Sequence, residues 1–160
     1  MVGDYEVGKT SLAIRFTQNR FQASYKPSLG VDFFLKKVEV KGKGIVKILV
    51  FDTAGQEFIT SLRQRYFKGA SGAVIVFDLT RRETFTHLKR WVNEVKMYAG
   101  EVKKIIVGNK LDLGEREVSK NEAEQFANSL GAKYYETSAK LGDNVHDVFY
   151  EFASLPFEQN

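Results

Sequence analysis

No cysteine occurs anywhere in the sequence. Disulfides, thiolate-bound zinc and a cysteine nucleophile are therefore excluded, and the composition fits a reducing, cytoplasmic compartment. Charge of one sign is not concentrated either: 24 basic residues stand against 20 acidic ones, and Lys and Arg are spread along the chain rather than gathered in a block. Nucleic acid is not implied as a partner. Long apolar runs are also missing. The longest lie near residues 73–77 and 45–51, far short of the roughly 20 residues a membrane-crossing helix requires, and the first residues do not resemble a signal peptide. With no internal repeat, linker or low-complexity segment, the 160 residues read as one domain, large enough to bury a core without metal or disulfide staples.

What is present begins with Gly3-Asp4-Tyr5-Glu6-Val7-Gly8-Lys9-Thr10, two glycines enclosing four residues and followed by Lys and Thr. This spacing predicts a phosphate-binding loop. The glycines let the backbone curl so that successive N–H groups point inward, and the helix opening at the end of the loop adds its positive dipole end. Lys9 is expected to reach the outer phosphates, and the Thr10 hydroxyl to ligate a magnesium ion bridging them. A mere glycine-rich turn would tolerate the glycines but gives no reason for the Lys-Thr pair.

Periodicity then predicts a helix over 8–19, a loop over 21–30 containing Pro27, and two strands over 31–40 and 45–51 joined by the turn Lys41-Gly42-Lys43-Gly44, hence antiparallel. A polar segment follows, with a helical stretch to about residue 68. Beyond it strand and helix alternate three times: 73–78 with 82–99, 104–109 with 120–130, and 134–137 with 144–154. Thr80 to Glu83 and Ser119 to Glu122 fit capping boxes, and Gly131 a helix C-terminus. The apolar stripes are Phe85, Leu88, Val92 and Val95; Ala123, Phe126, Ala127 and Leu130; and Val145, Val148, Phe149 and Phe152. Continuous runs such as Val74-Ile75-Val76-Phe77 suit parallel strands covered on both faces. The expected fold is a three-layer α/β domain of the P-loop NTPase type, its sheet mixed and mostly parallel with one antiparallel strand, with helices on both faces and ligand sites at the carboxyl ends of the strands.

Those strand ends carry polar clusters that suit one ligand. Asp52 can hold magnesium through water, Gly55 can bring a backbone N–H to a terminal phosphate, and Gln56 can orient an attacking water. In Asn109-Lys110-Leu111-Asp112, the Asp112 carboxylate can accept two hydrogen bonds from adjacent N–H groups, as guanine offers and adenine does not. Asn109 would hold the loop and the base edge, and the Lys110 stem would lie on the ring plane. Thr137-Ser138-Ala139-Lys140 follows the last strand, where the backbone around Ser138, Ala139 and Lys140 meets the guanine carbonyl. Residues Thr10 and Ser11 sit where the nucleotide continues from phosphates to ribose.

On Leu29-Gly30-Val31-Asp32-Phe33, Asp52-Thr53-Ala54-Gly55-Gln56-Glu57, Tyr66-Phe67-Lys68-Gly69-Ala70 and Glu136-Thr137-Ser138-Ala139-Lys140, the chain resembles the Ras superfamily of small GTPases, and most of all its Rab branch. The match covers almost the whole chain with every motif in order. The resemblance implies a G domain that binds GTP or GDP with Mg2+ and hydrolyses GTP as a molecular switch. It implies phosphate contacts from Gly3, Tyr5, Glu6, Val7, Gly8, Lys9, Thr10, Ser28 and Gly55, catalysis by Gln56 and Lys9, and metal ligation by Thr10, Ser28 and, through water, Asp52. Phe21 would pack edge-on to the base and Tyr25 close over the phosphates. Phe33, Phe51 and Tyr66 would form an aromatic triad facing effectors, unless they are simply core aromatics. Effectors, an exchange factor and a GTPase-activating protein would bind through switch segments at 21–33 and 52–67, to a monomer that meets membranes through partners.

The sequence departs from that family in four places. Tyr5 and Glu6 stand where many relatives carry small residues, Ser28 replaces the usual threonine, and only Met1-Val2 precede the phosphate loop where a full apolar strand is expected. Loss of that central strand would leave two buried edges unpaired. Without cysteine there is no prenylation acceptor. An alternative follows, a guanine-nucleotide-binding interaction module with negligible hydrolysis; a P-loop kinase leaves Asn109, Asp112 and Gln56 without a role. Because the Tyr5 ring would crowd Gln56 or an incoming arginine, hydrolysis is expected to be slow and poorly stimulated. Tyr5→Gly should turn over faster in a single-turnover phosphate-release measurement, and an unchanged rate would refute this explanation.

Overall fold

Runs of consecutive apolar residues need cover on both sides of a sheet, and the computed structural model, which describes residues 1–21, 31–53 and 65–154, provides it. Strands β1 (Val2–Gly3), β4 (Gly72–Asp78), β5 (Lys103–Asn109) and β6 (Lys133–Thr137) form a parallel sheet in that order. Strands β2 (Val31–Val40) and β3 (Gly44–Thr53) form an antiparallel hairpin. Helices α1 (Lys9–Gln18), α2 (Arg82–Thr86), α3 (Leu88–Ala99), α4 (Lys120–Ser129) and α5 (Val145–Ala153) cover the strands. On one face Ile75, Phe77 and Ile106 pack with Leu88, Trp91 and Val95 of α3 and Ala123 and Ala127 of α4. On the other, Val74, Val76, Ile105 and Val107 pack with Leu12 and Phe16 of α1 and Val145 and Phe149 of α5, joined by Val38 and Val50 of the hairpin. These are the three layers expected.

The hairpin meets the parallel sheet through Met1, whose amino group donates to Phe51 O at 2.6 Å and whose carbonyl accepts from Thr53 N at 3.4 Å and Thr53 Oγ1 at 2.8 Å. Past Met1 the two sheets part around a cleft of about 940 Å³ lined by Ile48, Val50, Ala73, Val74, Phe149 and Phe152.

Three local expectations change. Val40 pairs with Gly44, so three residues rather than four connect the hairpin, and Lys43 N donates to Val40 O at 2.9 Å to close it. The helix expected over 82–99 is two helices meeting at His87, which stays in the right-handed α region at φ −78, ψ −8. The Thr80 capping box does not form, because the Thr80 hydroxyl donates to Asp78 Oδ1 at 2.7 Å and the cap of α2 falls on Arg81. Ser119 does cap α4, accepting from Glu122 N at 3.3 Å.

The parallel register decides where the chemistry lies. Asp78 stands beside Asn109, and Asn109 beside Thr137, so three strands end on polar side chains in one row. Gly108 lets β5 reach that row between buried side chains: a Cβ there would come within 2.7 Å of Leu79, 2.8 Å of the Tyr134 hydroxyl and 2.9 Å of Phe77. Leu79 and Phe77 are fully buried and cannot yield. Gly108→Ala should therefore destabilise the protein by about 1–3 kcal/mol, read from urea unfolding at fixed nucleotide concentration; a wild-type midpoint would refute this packing.

Candidate functional site

The loop between β1 and α1 is shaped by close backbone approach at both ends. Gly3 has φ 146 and a Cβ there would lie 2.2 Å from Val76 O; Gly8 has φ 96 and a Cβ would lie 2.2 Å from Asn109 Nδ2. Only glycine fits either place. Val7, fully buried, anchors the middle of the loop, while Glu6, at φ 61, points to solvent. Lys9 is nearly buried and folds its ammonium back over the loop, donating to Gly3 O at 3.0 Å and Asp4 O at 2.7 Å. An ammonium held at the mouth of a ring of inward N–H groups suits a polyphosphate.

Beside it Thr10 Oγ1 donates to Asp52 Oδ2. Asp52 is fully buried, and its Oδ1 has no hydrogen-bond partner among the described residues. Burial raises the carboxyl above its usual range, against the Thr10 hydrogen bond and the charge of Lys9. A buried hydroxyl and an unsatisfied carboxylate oxygen are hard oxygen donors, which fit magnesium, an ion that relies on few protein ligands and on substrate phosphates for the rest.

Three loops converge on Asn109. Its Nδ2 donates to Val7 O at 2.9 Å, while its Oδ1 accepts from Thr137 Oγ1 at 3.0 Å and Ala139 N at 3.3 Å. Asp112 accepts from Ser138 Oγ at 2.6 Å, which in turn accepts from Leu141 N at 2.9 Å, so the carboxylate is oriented by the loop after β6. Arg15 of α1 braces that loop from below, with Nε on Ala139 O at 2.8 Å and Nη2 on Lys140 O at 2.5 Å. The side chain of Lys110 lies toward β4, its Nζ 2.7 Å from Asp78 Oδ2.

A family model described as the Ras family matches residues 1–156. The chain is 39% identical over 156 residues to the Ras-related protein SEC4 of Saccharomyces cerevisiae, an alignment covering 97% of this chain and 72% of that protein. The chain belongs to the Ras family. It is a Rab-like small GTPase, a nucleotide-dependent switch that binds GTP or GDP with Mg2+ and hydrolyses GTP, and its family works through effectors, exchange factors and activating proteins. No described helix is long and apolar enough to cross a membrane.

In this GTPase direct contacts link Gly3 with Lys9, Thr10 with Asp52, Gly8 and Val7 with Asn109, Asn109 with Ala139, and Asp112 with Ser138, while Lys110 lies on Asp78. Ser11 follows on α1, Phe21 lies exposed beyond the end of that helix, and Lys140 is exposed. Tyr25, Ser28, Gly55 and Gln56 lie outside the described residues. Phe33, Phe51 and Tyr66 do form one cluster, with ring centroids 5.2, 5.3 and 5.8 Å apart. Phe33 is 51% exposed, which favours a surface role over a core one.

Sequence reasoning missed a second ring of contacts. Asp4, inside the phosphate loop, bonds with Oδ2 to His87 Nδ1 at 2.6 Å and with Oδ1 to Trp91 Nε1 at 2.7 Å. Arg81 Nη2 donates to Tyr5 O at 2.8 Å, and its Nε to Asp78 Oδ2 at 3.1 Å. The apolar stripe Phe85, Leu88, Val92 and Val95 left Trp91 out, and nothing in it pointed to a partner in the phosphate loop. Trp91 is the single tryptophan of the chain and almost fully buried, so its emission reports this contact. Asp4→Ala strips the indole N–H of its Asp4 acceptor and should shift the emission maximum while costing about 1–3 kcal/mol of stability; an unchanged spectrum would refute the contact.

Proposed function

We propose that Lys9 and Gln56 carry the hydrolysis of GTP, with the guanine held by Asn109, Asp112 and the backbone of Ser138, Ala139 and Lys140. The observation that carries this reading is the Asn109 side chain, which ties the phosphate loop at Val7 to the loop after β6 at Thr137 and Ala139. Both ends of one ligand are thereby set at a defined separation. Lys9, seated on the carbonyls of Gly3 and Asp4, meets the charge that builds on the transferring phosphoryl group. Backbone N–H groups from Tyr5 to Thr10 receive the non-bridging oxygens, and Gln56 aligns water for in-line attack. Thr10, Ser28 and, through water, Asp52 would hold magnesium, which would supply positive charge at the phosphates. Asp112, oriented by Ser138, accepts from the paired N–H groups of guanine.

Ser28 and Gly55 are the residues through which loss of the γ-phosphate is sensed, so the segments 21–33 and 52–67 are the switches. Effectors, an exchange factor and an activating protein bind there, effectors on the face carrying Phe33, Phe51 and Tyr66. The chain acts as a single G domain and a monomer in the cytoplasm, reaching membranes through partners in vesicle trafficking.

A second reading, nucleotide-dependent binding with negligible turnover, is supported by Tyr5, which is 38% exposed at the loop and has its carbonyl fixed by Arg81. Single-turnover hydrolysis of GTP separates the two. The enzymatic reading expects Gln56→Leu to slow hydrolysis by roughly tenfold or more, whereas equal rates in both proteins would establish the binding module.

A further inference from the structure

We propose that Asp78 is a positioning residue for the bound nucleotide, holding the phosphate loop and the base loop in register through two cationic arms. The proposal rests on the guanine-nucleotide reading of the site. Asp78 ends β4, next to Asn109 in the sheet, and its side chain is fully buried. Its Oδ1 accepts from Thr80 N at 2.9 Å and Thr80 Oγ1 at 2.7 Å, which fixes the plane of the carboxylate. Its Oδ2 receives two cations, Lys110 Nζ at 2.7 Å and Arg81 Nε at 3.1 Å.

Each cation belongs to a different part of the pocket. Arg81 continues past Asp78 to the phosphate loop, where Nη2 donates to Tyr5 O at 2.8 Å. Lys110 lies in the base loop with φ 69, a left-handed conformation that is costly for a residue with a side chain and persists where the surroundings hold it. Leu111 N on Thr137 O at 3.0 Å holds the backbone after it, and Asp78 holds the far end of its side chain. With the ammonium fixed on β4, the four-carbon stem is held between the base loop and Asp78 rather than free in solvent.

One carboxylate oxygen thus sets the position of two loops that touch opposite ends of the ligand. The negative charge matters as well as the geometry. An amide at this place can still accept a hydrogen bond, but it leaves two neighbouring cations uncompensated, and their repulsion favours release of the Lys110 and Arg81 arms, both of which reach solvent.

The test follows release of a fluorescent GDP analogue into excess GDP, with magnesium present. Asp78→Asn should raise the dissociation rate roughly 10- to 100-fold, the range expected when a charge-assisted hydrogen bond is lost. The double variant Asp78→Asn/Lys110→Met should release nucleotide faster than Lys110→Met alone but by less than the product of the two single effects, because both changes cut the Lys110 arm while only Asp78→Asn loosens the Arg81 arm. A residue that only stabilised the fold would instead multiply its effect with that of Lys110→Met, and this result, or a wild-type rate in Asp78→Asn, overturns the proposal. Should Asp78→Asn fail to fold, Arg81→Met and Lys110→Met decide: both accelerate release with a combined effect below their product, and a fully multiplicative effect overturns it. A wild-type protein that binds no guanine nucleotide sinks the reading of the site itself; a wild-type protein that binds while Asp78→Asn releases normally sinks this proposal alone.

Discussion

The buried amide of Asn109 is the contact on which the rest of the pocket depends. One side chain donates into the phosphate loop and accepts from the loop after β6, and it can do so because parallel pairing brings the ends of β4, β5 and β6 level. A shift of one residue in β5 would turn Asn109 away and present Gly108 in its place, since side chains alternate along a strand. The apolar runs of β4 and β5 prevent that shift, because both faces are packed and each residue has a fixed buried neighbour.

Electrostatics divides the pocket into two opposed sets. Lys9, nearly buried over the loop, and the start of α1 suit an anion. Asp52 is the reverse, a buried carboxylate lifted in pKa by its surroundings and left with one unsatisfied oxygen, which suits a cation. Magnesium with a polyphosphate would suit both. Asp78 differs from Asp52 although both are buried. Burial pushes it up as well, but hydrogen bonds from Lys110 and Thr80 outweigh that effect and hold the carboxyl below its usual range, so it is ionised and braces the site rather than awaiting a ligand.

The phosphate loop is held from outside as much as from within. Asp4 is tied to His87 and Trp91, and Tyr5 to Arg81. The junction at His87, where one continuous helix was expected, lies at the contact with Asp4, so the meeting point of α2 and α3 coincides with a brace on the phosphate loop. The unused Thr80 cap has the same origin: its hydroxyl serves Asp78 instead of the helix.

Much of this was legible in the order of residues. Glycine spacing, the Lys-Thr pair, the Asn-Lys-x-Asp run and the apolar periodicities are local patterns, and local patterns carry their own chemistry: which group binds phosphate, which selects guanine, which stretches are strand or helix. They therefore pointed to the fold and to the residues proposed here for the site. What they could not contain is the pairing of residues far apart in the chain. Trp91 and Asp4 are separated by 87 positions and Arg15 and Ala139 by 124, and Asp78 looked like an ordinary strand end until two cations were found converging on it. Such contacts follow from strand order, register and helix packing, which are properties of the whole folded chain, and no window of sequence expresses them.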